Sequence, residues 1–256
     1  MTRYKYDCLQ DSEDDRDILF HDTFKPLLTV PDKYDLRQMT WMPDPLDRGE
    51  SGGSVANAVS NVLKFELGKV KDGQIFQPSR NFMHYYARRM QGGVDIDNGC
   101  SIRNLLKAVA LAGACSENKW PYDQSHYYNE PNLECQNAGK QHIRNFRYMS
   151  VAHSLTNIKQ AVTMGFPVIA SMRVYEDFEA DTTLTSGNIR SPNALSENYL
   201  GEHCVVIYGF DDDKQEVIIQ DSRGGEVGEK GCFRVKYDYI LDPGLCRSLW
   251  TVSGFV

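Results

Sequence analysis

At 256 residues and 29.1 kDa the chain is sized for one large domain or for two small lobes sharing a cleft. Its 41% hydrophobic and 11% aromatic residues suffice to bury a core. A formal charge of −7 argues against a nucleic-acid groove, which needs a basic stripe, and no apolar run approaches the ~20 residues that span a bilayer. The first twenty residues carry Asp11, Glu13, Asp14, Asp15 and Asp17 and lack the basic and apolar regions of a signal peptide. A soluble, intracellular or cytoplasmic protein is therefore expected, unless a leader has been removed. The cysteines (8, 100, 115, 135, 204, 232 and 246) form no Cys-x-x-Cys pair and no zinc spacing with histidine. No metal and no cofactor are expected, and the thiols read as buried and reduced.

Residues 1–50 are rich in Pro, Asp and charge and read as an extended arm. From Ser54, the apolar residues Val55, Ala58, Val59, Val62, Leu63 and Phe65 recur at helical spacing. Ser51 or Ser54 is placed to cap that helix, and Leu67-Gly68 to end it. A second helix is predicted after Pro78-Ser79, with Phe82, Tyr85, Tyr86 and Met90 on one face. A third runs from Ser101 to near Gly113. Beyond about residue 143 the texture turns to short β-branched runs, at 168–172, 204–208, 217–219 and 232–235, interrupted by one helix near 157–164. A helical half followed by a strand-rich half predicts an α+β protein with two lobes.

The motifs are more specific. Residues 47–58, DRGESGGSVANA, resemble the Gln-Gly-x-Cys-Gly-Ser-Cys-Trp-Ala-Phe signature of papain and the cathepsins. They are closer to the Asp-Gln-Gly-x-x-Gly-Ser-Cys-x-Ala-Asn-Ala form of bacterial and large-DNA-virus members. Residues 28–37 (LTVPDKYDLR) are similar to the family's mature start, 97–102 (DNGCSI) to its Gly-rich segment and 117–122 (ENKWPY) to its Pro-Tyr segment. Residues 165–168 (GFPV) with 174–178 (VYEDF), then 201–205 (GEHCV), resemble its first right-lobe strand and its histidine motif. Residues 221–235 resemble Asn-Ser-Trp-Gly…Trp-Gly-Glu-x-Gly-Tyr-x-Arg-Ile. The matches are colinear from about residue 28 to 250.

The resemblance implies a papain-like two-lobed fold, with a helical left lobe, a β-barrel-like right lobe and the active-site cleft between. It divides the chain into a 1–44 arm packing on the right lobe, a 45–142 helical lobe and a 143–256 strand-rich lobe. The family's chemistry uses a helix-terminal cysteine, a histidine base, an Asn or Asp that orients the histidine, and a Gln in the oxyanion hole. Residue by residue those positions hold Ser54, His203, Asp221 and Arg48. Gly99 and Cys100 fall at the substrate-binding segment. A serine hydroxyl forms no stable ion pair with histidine, and a nearby Arg48 would lower the ring's basicity. Arg223 and Val227 stand where the family has tryptophans, and Ser51 replaces a disulfide cysteine.

The expected function is thus a pseudo-peptidase that binds polypeptide, not nucleic acid or membrane, in a cleft without turnover. Two alternatives stay open: a cysteine endopeptidase whose nucleophile was exchanged Cys→Ser by design, and an interaction protein reusing the fold. A virion location would follow from a viral source. His203 has an alternative reading as a hydrogen-bonded core histidine, and Cys204, next to it on a strand, should face the core. Residues 211–213 (DDD) read as a solvated hairpin turn and not a cation site. His21, His84, His126, His142 and His153 carry no motif, and the Tyr85-Tyr86 and Tyr127-Tyr128 pairs read as packing.

Overall fold

A computed structural model describes residues 4–70 and 75–256. Its elements run α1 (Phe20–Thr23), β1 (Lys33–Asp35), α2 (Ser54–Gly68), α3 (Arg80–Met90), α4 (Ile102–Ala112), α5 (Leu133–Gly139), β2 (Arg147–Ser150) and α6 (Leu155–Thr163). There follow β3 (Val168–Tyr175), α7 (Asp181–Ser186), β4 (Asn188–Ile189), β5 (Tyr199–Asp211), β6 (Glu216–Gln220), β7 (Cys232–Lys236), α8 (Tyr237–Leu241) and β8 (Cys246–Ser253). The helical-then-strand order of the sequence reading is the order of the molecule.

Local chemistry explains most of the boundaries. Ser79 and Ser101 cap α3 and α4, accepting from the amides of Phe82 and Asn104 and so satisfying a donor each helix start leaves open. Gly113, at φ 76°, ends α4 with its amide on the Val109 carbonyl. The start of α2 departs from expectation. Its N-cap is Gly53, with no side-chain cap, because Ser51 lies too early and Ser54 is already helical. Ser51 instead donates to the Arg48 carbonyl at 2.8 Å and lies 2.6 Å from the Tyr122 hydroxyl. On α3, Met90 falls off the buried face and is exposed.

Helix α2 is buried on nearly every side, as a helix enclosed by other elements must be. It packs against α3 and α4 on one side and β5 on the other. Two of its buried polar groups pair outside the helix: Ser60 donates to the Pro78 carbonyl at 2.5 Å and Asn61 to Gln220 at 2.8 Å. The sheet has the order β2-β8-β3-β5-β6-β7-β4, with β1 on β5. All pairings are antiparallel except β4 with β7. Strand β5 sits at its centre and sets His203 opposite Met172 of β3.

Asp212 and Asp213 lie in the turn between β5 and β6 while Asp211 ends β5, and of the three only Asp213 is simply solvated. Asp211 is ion-paired with Lys33 at 2.7 Å, and Asp212 accepts from the Tyr237 hydroxyl at 2.7 Å. All seven cysteines are free, buried thiols. The arm packs on the strand-rich half from residue 18 onward, where Ser150 donates to the Ile18 carbonyl at 2.8 Å and Leu27 to Gln160 at 2.8 Å. Residues 4–17 take another course, touching both halves: the Cys8 amide reaches the Glu202 carbonyl and the Leu9 amide the Cys100 carbonyl, each at 3.1 Å. Farther along, Arg103 of α4 binds Asp11 and Asp17.

Candidate active-site cleft

His203 extends from the middle of β5, and Asp221 follows the end of β6, its neighbour in the sheet. His203 Nε2 lies 2.7 Å from Asp221 Oδ1, with both side chains shut off from solvent. The same oxygen accepts from the Ser222 amide at 2.6 Å. The other carboxylate oxygen takes the Nε–H of Arg223, whose Nη1 donates to the Phe178 carbonyl at 2.9 Å. The Arg223 guanidinium lies 4.0 Å from the Phe178 ring centroid and 5.1 Å from that of Phe233. Arginine thus fills the place of the expected tryptophan by stacking and adds a charge there.

That charge changes the pair. Burial opposes ionisation of Asp221, but Arg223 first, then His203 and Arg48, hold its carboxyl well below the usual carboxylate range. Burial is also the main influence on His203 and pushes its pKa down to about 4; Asp221 pulls upward, while Arg48 and Arg223 add to the depression. The ring is therefore a neutral imidazole that donates from Nε2, leaving Nδ1 as a bare acceptor. Nδ1 has no hydrogen-bond partner among the described residues.

Ser54 is the first residue of α2, where the helix presents its open amides and the positive end of its dipole. Its Oγ is fully buried and likewise without a partner among the described residues, so it is not hydrogen-bonded to His203. One turn on, Asn57 and Ala58 line a small cavity together with Cys204, Asp221 and Ser222, which ties this end of α2 to the Asp221 side. Arg48 is joined to the same corner through its amide, 2.9 Å from the Ser222 carbonyl. Its guanidinium donates through Nη1 to the carbonyls of Lys5 at 2.5 Å and Ser51 at 3.2 Å. Its Nε and Nη2 have no partner among the described residues. The preceding loop is clamped by Arg80, which donates to the Asp47 carbonyl and to Asn57 at 2.9 Å each and stacks 3.7 Å from the Tyr122 ring centroid.

Gly99 and Cys100 meet the arm. A Cβ on Gly99 would stand 1.9 Å from the Asp7 carbonyl oxygen, one on Gly201 2.3 Å from that of Tyr6, and one on Gly52 2.0 Å from the Asp7 carboxylate. Gly99 and Gly201 admit the arm's backbone at close range and Gly52 the Asp7 side chain, so residues 4–9 lie in a groove bordered by these glycines. Tyr6 sets its ring edge-on to His203 at 5.4 Å and reaches Glu179 with its hydroxyl at 2.8 Å. Tyr6 and Glu179 were not singled out from the sequence, and Asp97 and Phe178 were noted only as parts of the 97–102 and 174–178 segments. The alternation Tyr4-Lys5-Tyr6-Asp7-Cys8 was the available signal, a strand's period of two within a charged arm. Among the described residues, no group of three or more His, Cys, Asp or Glu is arranged to hold a metal ion.

Residues 97–240 match the model of the Peptidase_C39 like family, a span that includes His203 and Asp221 and begins after Arg48 and Ser54. Over 247 residues the chain is 28% identical to an uncharacterised peptidase C1-like protein of Acanthamoeba polyphaga mimivirus, covering 90% of this chain and 79% of that one. Among solved structures it superposes on xylellain, a cysteine protease from Xylella fastidiosa, with a TM-score of 0.87 and 27% identity over 99% and 98% of the two chains. A digestive procathepsin L 3 of Tenebrio molitor larval midgut gives a TM-score of 0.70 at 17% identity, over 98% of this chain and 76% of that one. The fold is that of the papain-like cysteine proteases.

Proposed function

Since the chain belongs to the Peptidase_C39 like family, we propose that it is a peptidase homologue that keeps a polypeptide-binding cleft and has lost efficient turnover. The observation that carries this reading is the state of His203: buried, neutral and flanked by two arginines. In this reading Ser54 stands at the nucleophile position, His203 is the base, Asp221 orients it and Arg48 occupies the oxyanion position. The arm, the helical part and the strand-rich part, divided near residues 44 and 142, form the strap and the two walls of the cleft.

Each group falls short of its task. Attack by Ser54 needs its proton taken during the reaction, because the hydroxyl has no accessible anion to begin with. A base with a pKa near 4 has little drive to take that proton. The ion pair that activates a cysteine would need a protonated His203, which Arg48 and Arg223 disfavour. Arg48 can donate to an oxyanion, but its Nη1 is spent on the carbonyls of Lys5 and Ser51. Loss of one oxyanion donor typically costs about 10²–10³ in rate. The groove, by contrast, holds an extended backbone, which supports peptide binding over a reading in which the fold is kept and the cleft lost.

The test is a series of variants assayed on casein and on a mixed peptide pool. The unaltered chain should show no turnover above background. Ser54→Cys should label with iodoacetamide yet gain little activity, and adding Arg48→Gln should raise the rate about tenfold or more. Robust hydrolysis by the unaltered chain, or full activity from Ser54→Cys alone, would overturn the reading.

A further inference from the structure

The arm's seat describes a ligand. Tyr4 and Tyr6, two positions apart on one face of an extended segment, place their ring centroids 5.1 and 5.0 Å from the Arg48 guanidinium carbon. The carbonyl of Lys5 between them accepts from Arg48 at 2.5 Å. The Lys5 side chain turns the other way, donating to the Asp97 carbonyl and lying 3.2 Å from its carboxylate. Tyr6 spends its hydroxyl on Glu179 and its ring on His203 and Phe178. The backbone contacts at Gly99 and Gly201 are indifferent to sequence, whereas these side-chain contacts are selective.

We infer that the groove's ligands are extended peptides carrying an aromatic–basic–aromatic triplet, of which Tyr4-Lys5-Tyr6 is a tethered copy. This rests on the polypeptide-binding reading above and names the class of peptide. The two rings stack on Arg48 and the basic residue between them meets Asp97. A second acidic group, Glu179, takes a phenolic hydroxyl, so tyrosine is preferred over phenylalanine at the third position. A peptide lacking the triplet keeps only the backbone contacts.

Fluorescence polarisation with a labelled peptide of residues 4–9, serine replacing Cys8, tests this on the full chain. The partner variant carries Tyr4→Ala and Tyr6→Ala in the arm, and hydrogen exchange at the Cys8 and Leu9 amides reports whether the arm has left. We expect those amides to lose protection in the variant, and the peptide to bind it at least about tenfold more tightly than the unaltered chain. Replacing both tyrosines of the peptide by alanine, or adding Arg48→Gln to the variant, should weaken binding about tenfold or more. Amides that stay protected would show that the two rings do not hold the arm and would overturn the inference. With the arm released, equal binding of a scrambled peptide, or capture of other peptides from a random pool but not this one, sinks the triplet and spares the cleft. Binding of no peptide at all sinks both.

Discussion

Two buried histidines, one in each half of the molecule, make an instructive pair. His84 on α3 and His203 on β5 both have pKa values pushed down by burial first, to about 3 and about 4. His84 has a thiol beside it, Cys100 Sγ at 3.7 Å from Nδ1, while its Nε2 lies 2.7 Å from the Tyr127 hydroxyl, which in turn donates to Asp97. By residue type this looks more like a cysteine-peptidase constellation than Ser54 with His203 does. Yet both nitrogens of His84 are spent, and burial raises the Cys100 thiol well above its ordinary range, so no thiolate forms there. His203 Nδ1 has no hydrogen-bond partner among the described residues. Depth and a depressed pKa therefore do not separate a structural histidine from one built for a partner. What differs between the two is how their ring nitrogens are partnered.

The largest effect that can break the comparison is on the sheet side. Asp221→Leu leaves Arg223 buried without its carboxylate and should cost about 3–5 kcal/mol in urea unfolding. A loss under about 1 kcal/mol would mean that Arg223 is content with the Phe178 carbonyl and its ring contacts alone. Next comes acid. A histidine depressed in the fold is protonated first in the unfolded chain, so its stabilisation is full above the unfolded value near 6.5 and is lost as pH falls toward about 4. The unaltered chain should lose about 3 kcal/mol more than His203→Gln across that window. Identical pH profiles would mean that His203 titrates in the fold as it does in the unfolded chain.

On the helical side, Tyr127→Phe strands the Nε2–H of His84 and one oxygen of Asp97 and should cost about 1–3 kcal/mol. A neutral result would make the His84 chain ornamental. The smallest effect concerns the thiols: melts with and without dithiothreitol should coincide, because all seven cysteines are free. A drop of the size a structural bridge supplies, about 2–4 kcal/mol, would contradict that.

The sequence was most legible where one local rule decides. Ser79, Ser101 and Gly113 mark helix ends by chemistry that any sequence carries on its surface. The β-branched runs of β3, β5, β6 and β7 were equally plain. Strand β8 was missed because Cys246-Arg-Ser-Leu-Trp-Thr-Val-Ser mixes polar residues with apolar ones, and its Ser248 sits at φ 49° where its ladder with β3 shifts register. The His203–Asp221 contact was expected from colinear motifs, whereas the seating of Tyr6 against His203 depends on long-range docking of the arm. Arg223 was noted as a missing tryptophan; that it would neutralise Asp221 required knowing where its guanidinium turns.

The arm in the groove also sets how any measurement on the intact chain must be read. A tethered segment competes at an effective concentration of roughly millimolar for a short flexible linker. A free molecule sees the groove only during the fraction of time that the tether is away, and its apparent affinity is scaled by that fraction. If the open state were populated at about 1%, every ligand would look about 100-fold weaker than its contacts allow. Ranking ligands on the intact protein would still order them correctly, while their absolute affinities would report the strap.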